Sequence, residues 1–258
     1  MSKARDNPYG NDFYNGLLLE VPASAGTIVP LVMDLLHPRS VVDVGCGNGA
    51  WLAAFRDAGV RDYLGVDGDY TPRERLFISR DHFLSADLTV PLDLGRRFDL
   101  AVSLEVAEHL PETAATDFIE TLTRLAPAVL FSAAVPSQGG AGHVNEQWQE
   151  YWRARFAANG FIATDPIRPM IWGRPGIANY YQQNIVVYVD RERIGDFPRL
   201  HALPVEHSVN LVHHTLLERQ LDTDPTISEI VRVLPRAIKN SAKFHARRLI
   251  SKLRFHRK

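Results

Sequence analysis

The sequence predicts a doubly wound α/β domain built on a mostly parallel β-sheet. Runs of β-branched and aromatic residues alternate with helical patterns along the chain, and one early run passes through a glycine-rich turn directly into a helix. Alternating strands and helices indicate a parallel sheet because each parallel crossover needs a connection long enough to return the chain. A chain of 258 residues, 45% hydrophobic and 23% charged, can form one such domain with extensions.

Composition predicts a cytoplasmic globular protein. The single cysteine, Cys46, excludes an internal disulfide and fits a reducing compartment. No run of 18 apolar residues occurs, and the N-terminal residues lack the apolar centre of a secretion signal. Turn formers and aromatic residues alternate before residue 22, which predicts an ordered arm or lid, and Ala23 to Leu36 reads as a helix ended by His37-Pro38.

A buried strand and a glycine-rich turn follow this helix. Val41 to Val44 is a β-branched run, and Trp51 to Ala58 has helical spacing closed by Gly59. Between them lie Gly45, Cys46, Gly47 and Gly49, where glycines let the backbone approach a ligand at a helix N-terminus. The spacing of Gly45, Gly47 and Ala50 also fits a dinucleotide fingerprint, so the turn alone does not separate NAD from S-adenosylmethionine.

The run Asp43-x-Gly45-x-Gly47-x-Gly49 resembles the first motif of class I S-adenosylmethionine-dependent methyltransferases. The resemblance covers residues 38 to 190 and implies a Rossmann-like sheet of seven strands, the last antiparallel, with helices on both faces. It also implies that the cofactor contacts the turn, and the residues we assign to it there are Asp43, Gly45, Cys46, Gly47 and Gly49. Cys46 reads as a small residue in a tight place rather than as a nucleophile.

Two further carboxylates follow predicted strands. Asp62 to Asp67 reads as the second strand, and Asp67 lies 18 residues after Gly49, where a carboxylate can accept hydrogen bonds from ribose hydroxyls. His82 to Leu88 is a weaker third strand. Here the resemblance implies that Asp87 contacts the adenine amino group and that Leu88 packs on the ring.

The second half of the sheet is predicted from the same patterns. The expected elements are a strand at Phe98 to Leu104, a helix at Phe118 to Leu125, a strand at Ala128 to Val135, a polar loop at 136–146, a helix at Gln147 to Asn159, and strands at Phe161 to Ile167 and Asn184 to Asp190. Trp148, Tyr151, Trp152 and Phe156 share one face of the second helix.

Glu105, Glu108 and His109 form a second cluster of functional groups directly after the fourth strand. Their spacing places them on one face if a helical turn begins at Glu105, and two carboxylates with an imidazole suit a divalent metal. The alternative is that Glu105 contacts the cofactor, Glu108 is solvated and His109 packs or caps a helix.

The Glu-Val-x-Glu-His run is similar to that of metal-dependent small-RNA 3′-terminal 2′-O-methyltransferases and of ubiquinone-pathway O-methyltransferases. The resemblance implies that Glu105, Glu108 and His109 bind a metal such as Mg²⁺, Mn²⁺ or Zn²⁺, with His143 in the place of a further histidine ligand. Such a metal would lower the pKa of an acceptor hydroxyl. Without a metal, His143 or His109 could act as a general base.

The block 139–148 and the following Tyr151-Trp152 resemble bacterial methyltransferases of surface-glycan and natural-product pathways. Trp148 and Trp152 either stack on a sugar or planar ring or belong to the core. The run Met170 to Pro175 is a candidate for a second wall of the acceptor pocket.

The C-terminal part differs in charge from the remainder. Ten basic and no acidic residues follow Glu229, whereas residues 1 to 229 carry 19 basic and 30 acidic side chains. Apolar spacing predicts a basic helix from about residue 227, interrupted by Pro235. Such a helix can lie on an anionic membrane, bind nucleic acid, dock on a partner or pack on the acidic remainder of this chain.

We therefore expect an N-terminal arm at 1–22, a methyltransferase domain at 23–190 and an extension at 191–258. The expected reaction is methyl transfer to a hydroxyl of a small sugar-like or polyhydroxylated metabolite, with or without a metal. RNA 2′-O-methylation, N- or C-methylation of a natural product, NAD-linked oxidoreduction and a catalytically inactive binding module are the alternatives. An acidic core without an RNA-binding motif argues against RNA. The sequence leaves the acceptor and the oligomeric state open.

Overall fold

A computed structural model describes residues 11–202 and 209–221. Its centre is a seven-stranded sheet in the order β3-β2-β1-β4-β5-β7-β6. All neighbouring pairs are parallel except those of β7, which runs antiparallel to β5 and β6. The strands are β1 Ser40–Val44, β2 Asp62–Asp67, β3 Phe83–Ser85, β4 Leu100–Leu104, β5 Ala128–Ser132, β6 Phe161–Thr164 and β7 Val186–Asp190. The predicted fold class, including the antiparallel last strand, is confirmed.

Helices cover both faces of the sheet. They are α1 Asn11–Leu36, α2 Ala50–Asp57, α3 Ala115–Leu125, α4 Gln149–Ala158, α5 Arg168–Ile171 and α6 Asn179–Asn184. The chain also contains helix α7, His214–Leu221. Short 3₁₀ turns lie between them, one of which, Ala107–His109, belongs to the candidate site. Among the described residues, no helix is both long and apolar enough to cross a membrane.

The alternation of side chains along each strand divides the core into two layers. On β1, Val41 packs in the layer that contains Ile28 and Phe55 from α1 and α2. Its neighbour Val42 points to the other face and packs in the layer of Ile119 from α3. Both faces are therefore buried, as expected for strands with continuous apolar sequences. Full burial of each large aliphatic or aromatic side chain contributes about 1.5–3 kcal/mol.

Several boundaries differ from the predicted ones. The first helix begins at Asn11 rather than Ala23 and contains Pro22 and Pro30. Strand β3 is only three residues long, because the chain after Ser85 leaves the sheet before the predicted end at Leu88. Helix α4 begins at Gln149 rather than Gln147.

The described chain falls into two compact units, divided between His213 and His214. The sheet and its helices belong to the first unit, and α7 belongs to the second. The predicted basic helix from about residue 227 lies outside the described residues. The predicted arm at 1–22 lies partly outside them, and the three-part division of the chain stays a prediction.

The order of the strands determines where a ligand can bind. Strand β1 lies between β2 and β4, so the connections leaving β1 and β4 turn to opposite sides of the sheet. In open parallel sheets such a switch point leaves a crevice outside the carboxyl ends of the strands. The glycine turn follows β1, Asp67 ends β2, and Glu105 follows β4, so the predicted site residues meet at this crevice.

Candidate active site

The glycine turn after β1 requires glycine at each of its three positions. Gly45, Gly47 and Gly49 have φ values of 89°, 53° and 79°, which side-chain-bearing residues rarely adopt. A Cβ at Gly45 would lie 2.4 Å from Val106, and one at Gly49 would lie 2.8 Å from Ile78. A Cβ at Gly47 would meet no atom of residues 11–202 or 209–221 within 4 Å. The middle of the turn therefore faces open space, and a ligand can approach its backbone.

Asp67 fastens the end of β2 to this turn. Its carboxylate accepts hydrogen bonds from the Gly47 amide at 2.6 Å, the Gly68 amide at 2.6 Å and the Tyr70 hydroxyl at 2.7 Å. Burial raises the pKa of Asp67, and these three donors oppose the shift. Asp67 therefore lies beside the glycine turn with the Tyr70 hydroxyl hydrogen-bonded to it, and its contact with a ribose stays a prediction.

Two other predicted cofactor residues, at the end of β1 and within the turn, are buried. Asp43 is 2% exposed, and its Oδ2 atom accepts no hydrogen bond from the residues that the structure describes. Burial, reinforced by the charge of Asp67, raises the pKa of Asp43 well above the ordinary aspartate value. Burial likewise raises the pKa of the Cys46 thiol, with the charge of Asp43 as the next cause. A thiol held protonated is a poor nucleophile, in agreement with the packing role expected for Cys46.

The predicted adenine contacts are more open. Asp87 is exposed, and its Oδ1 accepts hydrogen bonds from the amide and hydroxyl of Thr89 at 2.9 and 2.6 Å. Leu88 is half-buried and packs against one layer of the core. These residues form the outer end of the crevice, where the proposed adenine contacts stay a prediction.

Glu105 adopts a strained backbone conformation at the end of β4. Its φ of 55° is in the left-handed region, which for a residue other than glycine costs about 1–3 kcal/mol. Its amide donates to the backbone and hydroxyl oxygens of Ser132 at 3.0 and 3.1 Å. Its carboxylate accepts hydrogen bonds from Gln138 at 2.7 Å and Asn184 at 3.0 Å. The side chain is therefore held from several elements at once.

Glu108, His109 and His143 form a group in which the candidate ligand atoms all lie within 4.8 Å of one another. Glu108 is 0% exposed, and neither of its carboxylate oxygens has a hydrogen-bond partner among the described residues. The Nε2 atom of His143 lies 4.0 Å from Glu108 Oε1. Burial and then the charge of Glu105 raise the pKa of Glu108 well above the ordinary value. A buried carboxylate without a donor is costly, and a proton or a cation would satisfy it.

Both histidines are oriented for such a group. The Nδ1 atom of His143 lies 2.9 Å from Oε1 of Glu146, which leaves Nε2 directed toward Glu108. The two imidazole rings meet edge to face, with centroids 4.8 Å apart. Burial and the neighbouring His143 lower the pKa of His109 to about 4, so this imidazole is neutral near pH 7 and available as a ligand.

The structure thus brings together three of the four predicted metal ligands. The prediction assumed one helical face for Glu105, Glu108 and His109, but the 3₁₀ turn begins only at Ala107. Glu105 lies before that turn and points to amide donors instead. The aromatic face of α4 is also divided. Trp152 and Phe156 are core residues with 1% and 0% exposure, whereas Trp148 precedes the helix and is 44% exposed.

Four polar residues of the site escaped the sequence interpretation, namely Ser132, Gln138, Gln183 and Asn184. The last two belong to α6, where the run Asn179-Tyr180-Tyr181-Gln182-Gln183-Asn184 precedes a strand. Four consecutive polar or aromatic residues at 181–184 are nearly fully buried. The sequence signal for these residues was a polar run directly before a buried strand. Amide side chains that become buried need hydrogen-bond partners, so such a run indicates a polar network. The hydroxyl oxygen of Tyr180 is also buried and has no hydrogen-bond partner among the described residues.

Comparison with known families adds an independent finding. Residues 22–168 match the profile of a family described as a methyltransferase domain. An uncharacterized methyltransferase of Mycobacterium leprae is 35% identical over 116 residues, covering 42% of this chain and 41% of that protein. Another from Mycobacteroides abscessus is 38% identical over 87 residues, covering 30% and 32%. The chain therefore spans only about two fifths or less of the curated relatives it matches.

Solved structures agree on the fold. The sugar N-methyltransferase KedS8 from a Streptoalloteichus species superimposes with a TM-score of 0.54 and 19% identity, covering 74% of this chain and 99% of that one. DesVI from Streptomyces venezuelae gives 0.52 and 17%, covering 69% and 95%. Magnesium protoporphyrin IX methyltransferase from Synechocystis with bound S-adenosylhomocysteine gives 0.51 and 19%, covering 72% and 89%. At sequence identities of 17–19%, these superpositions show a shared fold and nothing finer.

Proposed function

This chain belongs to the methyltransferase-domain family, and from that premise we propose that it transfers the methyl group of S-adenosylmethionine to a hydroxyl of a small polyhydroxylated acceptor. We further propose that a divalent cation, held by Glu108, His109 and His143, assists the transfer. The observation that carries the second proposal is the fully buried carboxylate of Glu108, which lies beside two imidazoles and has no hydrogen-bond partner in the part of the chain that the structure describes.

The cofactor would occupy the crevice from the glycine turn to β3. Open space at Gly47 admits the ligand, and the carboxylate of Asp67 lies within reach of the same turn at 2.6 Å. Asp87 and Leu88 lie at the adenine end, while Asp43 and Glu105 lie at the amino-acid end. The carboxylates suit a cofactor that carries a sulfonium and an ammonium group, since opposite charges attract strongly where solvent is excluded.

A hydroxyl acceptor requires help to lose its proton, because a neutral alcohol is a weak nucleophile. Glu108, His109 and His143 supply one oxygen and two nitrogen donors, a set that suits Mg²⁺, Mn²⁺ or Zn²⁺. A bound cation would supply Lewis acidity that lowers the pKa of an adjacent acceptor hydroxyl. Glu105 is bonded to Gln138 and Asn184, so the proposal narrows the predicted ligand set to three.

The protein's own side chains orient the reacting groups and exclude water. Glu146 fixes the ring of His143 through Nδ1, so Nε2 is the nitrogen that faces Glu108 and would hold the cation. Burial opposes ionisation of Glu146, but the hydrogen bond from His143 and those from the Gly139 and Ser137 amides lower its pKa, so it stays charged. Burial around Glu108 excludes water from the transfer. Positioning of acceptor and sulfonium in line is the main contribution expected from the fold.

The proposed acceptor class rests on two exposed aromatic side chains. The rings of Trp148 and Trp172 are 44% and 39% exposed, and such faces stack on sugars and other planar rings. KedS8 is named a sugar N-methyltransferase, so an amino sugar is an alternative acceptor. The lone, buried Cys46 supports a cytoplasmic location.

The test is the identity of the methylated product. S-adenosylmethionine carrying a ¹³C-methyl group is incubated with the protein, Mn²⁺ and a panel of hydroxylated sugars, amino sugars, catechols and a short RNA with a free 3′ end. O-, N- and C-methyl carbons are separated by NMR, and each positive acceptor is repeated with EDTA. Glu108→Gln is compared with Glu150→Gln, an exposed control on α4.

An O-methyl product that disappears with EDTA and in Glu108→Gln, but not in Glu150→Gln, supports both proposals. An O-methyl product insensitive to EDTA overturns the metal and assigns proton removal to His143. An N-methyl product alone, or methylation of RNA alone, overturns the proposed acceptor.

A further inference from the structure

The strained backbone of Glu105 needs groups that hold it in place. A residue other than glycine with φ of 55° persists only where its surroundings determine its conformation. Ser132 holds the amide, and the side-chain amides of Gln138 and Asn184 hold the two carboxylate oxygens. The orientation of Glu105 therefore depends on how firmly these two amides are themselves fixed.

Both amides are fixed by Gln183, which is 1% exposed. Its Nε2 atom donates to Oε1 of Gln138 at 3.2 Å and to Oδ1 of Asn184 at 3.0 Å. Asn184 also donates to Oε1 of Gln138 at 2.9 Å, which closes a triangle of amides. An amide side chain can point either way, so a third amide that pairs with both restricts each to one orientation.

The remaining atom of Gln183 connects this triangle to a distant segment. Its Oε1 accepts a hydrogen bond from the backbone amide of His213 at 2.7 Å. The same segment, 209–213, is fastened at two further points: Arg168 donates to the Val209 carbonyl at 2.8 Å, and Gln149 donates to the Leu211 carbonyl at 3.0 Å. The ring of His213 packs on Trp172 with centroids 4.9 Å apart.

We infer that Gln183, fixed by the 209–213 segment, is a positioning residue that sets the orientation of Glu105 for cofactor binding. Gln183 and the segment lie beyond the family match at residues 22–168, so the family profile does not include this part of the site. The inference rests on the proposed function, in which Glu105 contacts the amino-acid end of the cofactor. Gln183 itself acts only through Gln138 and Asn184.

The test measures coupling between Gln183 and Glu105 in the full chain. Calorimetry gives the affinity for S-adenosylhomocysteine in the wild type, Gln183→Met, Glu105→Gln and the double variant. Gln182→Met is the matched control, because Gln182 is 2% exposed in the same helix but bonds to the Gly173 amide and the Ile177 carbonyl instead. Thermal unfolding of each variant shows which are folded at the assay temperature.

Gln183→Met should weaken binding roughly tenfold, the effect of losing one well-formed buried hydrogen-bond arrangement. The same substitution should change affinity by less than about twofold in the Glu105→Gln background, because residues that act through one another are not additive. Gln182→Met should lower stability without changing affinity. An equal loss of affinity with and without Glu105, or an effect of Gln182→Met as large as that of Gln183→Met, would overturn the inference. Wild-type protein that does not bind S-adenosylhomocysteine would overturn the proposed function and this inference together.

Discussion

Replacement of Glu108 by glutamine tests the cation proposal without changing side-chain volume. Glu108 is 0% exposed and has no hydrogen-bond partner among the described residues, so burying its charge destabilises the metal-free protein. Removing it should leave metal-free stability within about 1 kcal/mol of wild type, because no hydrogen bond is lost. Glu108 would be the one carboxylate among the three proposed ligands, so its loss should weaken cation binding by at least about 100-fold. Substitution of residues that only contact metal ligands already lowers metal affinity by about 10–100-fold.

The expected difference can be worked out as a shift in melting temperature. Cation at 100 times the dissociation constant stabilises the wild type by about 2.7 kcal/mol. For a domain of this size each kcal/mol raises Tm by about 2–4 °C, so the wild type should gain about 5–11 °C. After a 100-fold loss of affinity the same concentration contributes about 0.4 kcal/mol, a gain of only about 1–2 °C.

The assay is thermal unfolding of chelator-treated protein with and without Mn²⁺. Glu150→Gln should behave as wild type, because Glu150 is an exposed residue of α4 whose carboxylate forms a loose ion pair with Arg153 at 3.6 Å. Equal cation-induced shifts in wild type and Glu108→Gln would refute the reasoning. So would a loss of more than about 3 kcal/mol in the metal-free variant, which would reveal a structural role that the geometry does not show.

Three further predictions concern the cofactor end. Tyr70→Phe should strengthen S-adenosylhomocysteine binding about 2–5-fold, because the Tyr70 hydroxyl donates to Asp67 at 2.7 Å and competes with ribose; calorimetry that finds weaker binding contradicts this. Asp43→Asn should gain stability relative to the wild type as pH rises above about 4, by up to about 1.4 kcal/mol per pH unit. The pKa of Asp43 is raised in the folded state, so the unfolded wild type releases this proton at lower pH and the wild type loses stability as pH rises. Urea unfolding of both proteins from pH 5 to 8 measures the slope, and a stability difference that does not change with pH contradicts the prediction. Gly47→Ala should cost about 1–2 kcal/mol from its φ of 53° and also weaken cofactor binding, whereas Gly59→Ala, at φ 107° away from the crevice, should cost stability alone; equal cofactor affinities in the two variants would contradict the close approach at Gly47.

The sheet was predictable because its signals are local. Val41 to Val44 and Asp62 to Asp67 are β-branched or aromatic runs bounded by glycine, and the structure places strands there with at most one residue of difference. The glycine turn was predictable for the same reason, since each glycine is required by the backbone at its own position. The early start of α1 was missed because Pro22 and the turn formers before it argue locally against a helix, although the described helix contains both prolines.

The site was predictable only in part because its contacts are distant in sequence. Asn184 and Glu105 are 79 residues apart, and Gln183 and His213 are 30 apart, so no spacing pattern joins them. Glu105 also has a positive φ, which no residue-type rule predicts for a glutamate. Glu105 therefore precedes the 3₁₀ turn Ala107–His109, which carries Glu108 and His109.

Binding of S-adenosylhomocysteine to the full chain, measured by calorimetry, tests the central claim most directly. The account predicts one site per chain with a dissociation constant in the range usual for enzyme ligands, about 1 μM to 1 mM. It also predicts that Asp67→Asn weakens this binding and that reduced nicotinamide dinucleotide does not compete for it. Absence of binding, or displacement by the nicotinamide cofactor at comparable concentration, would contradict the account.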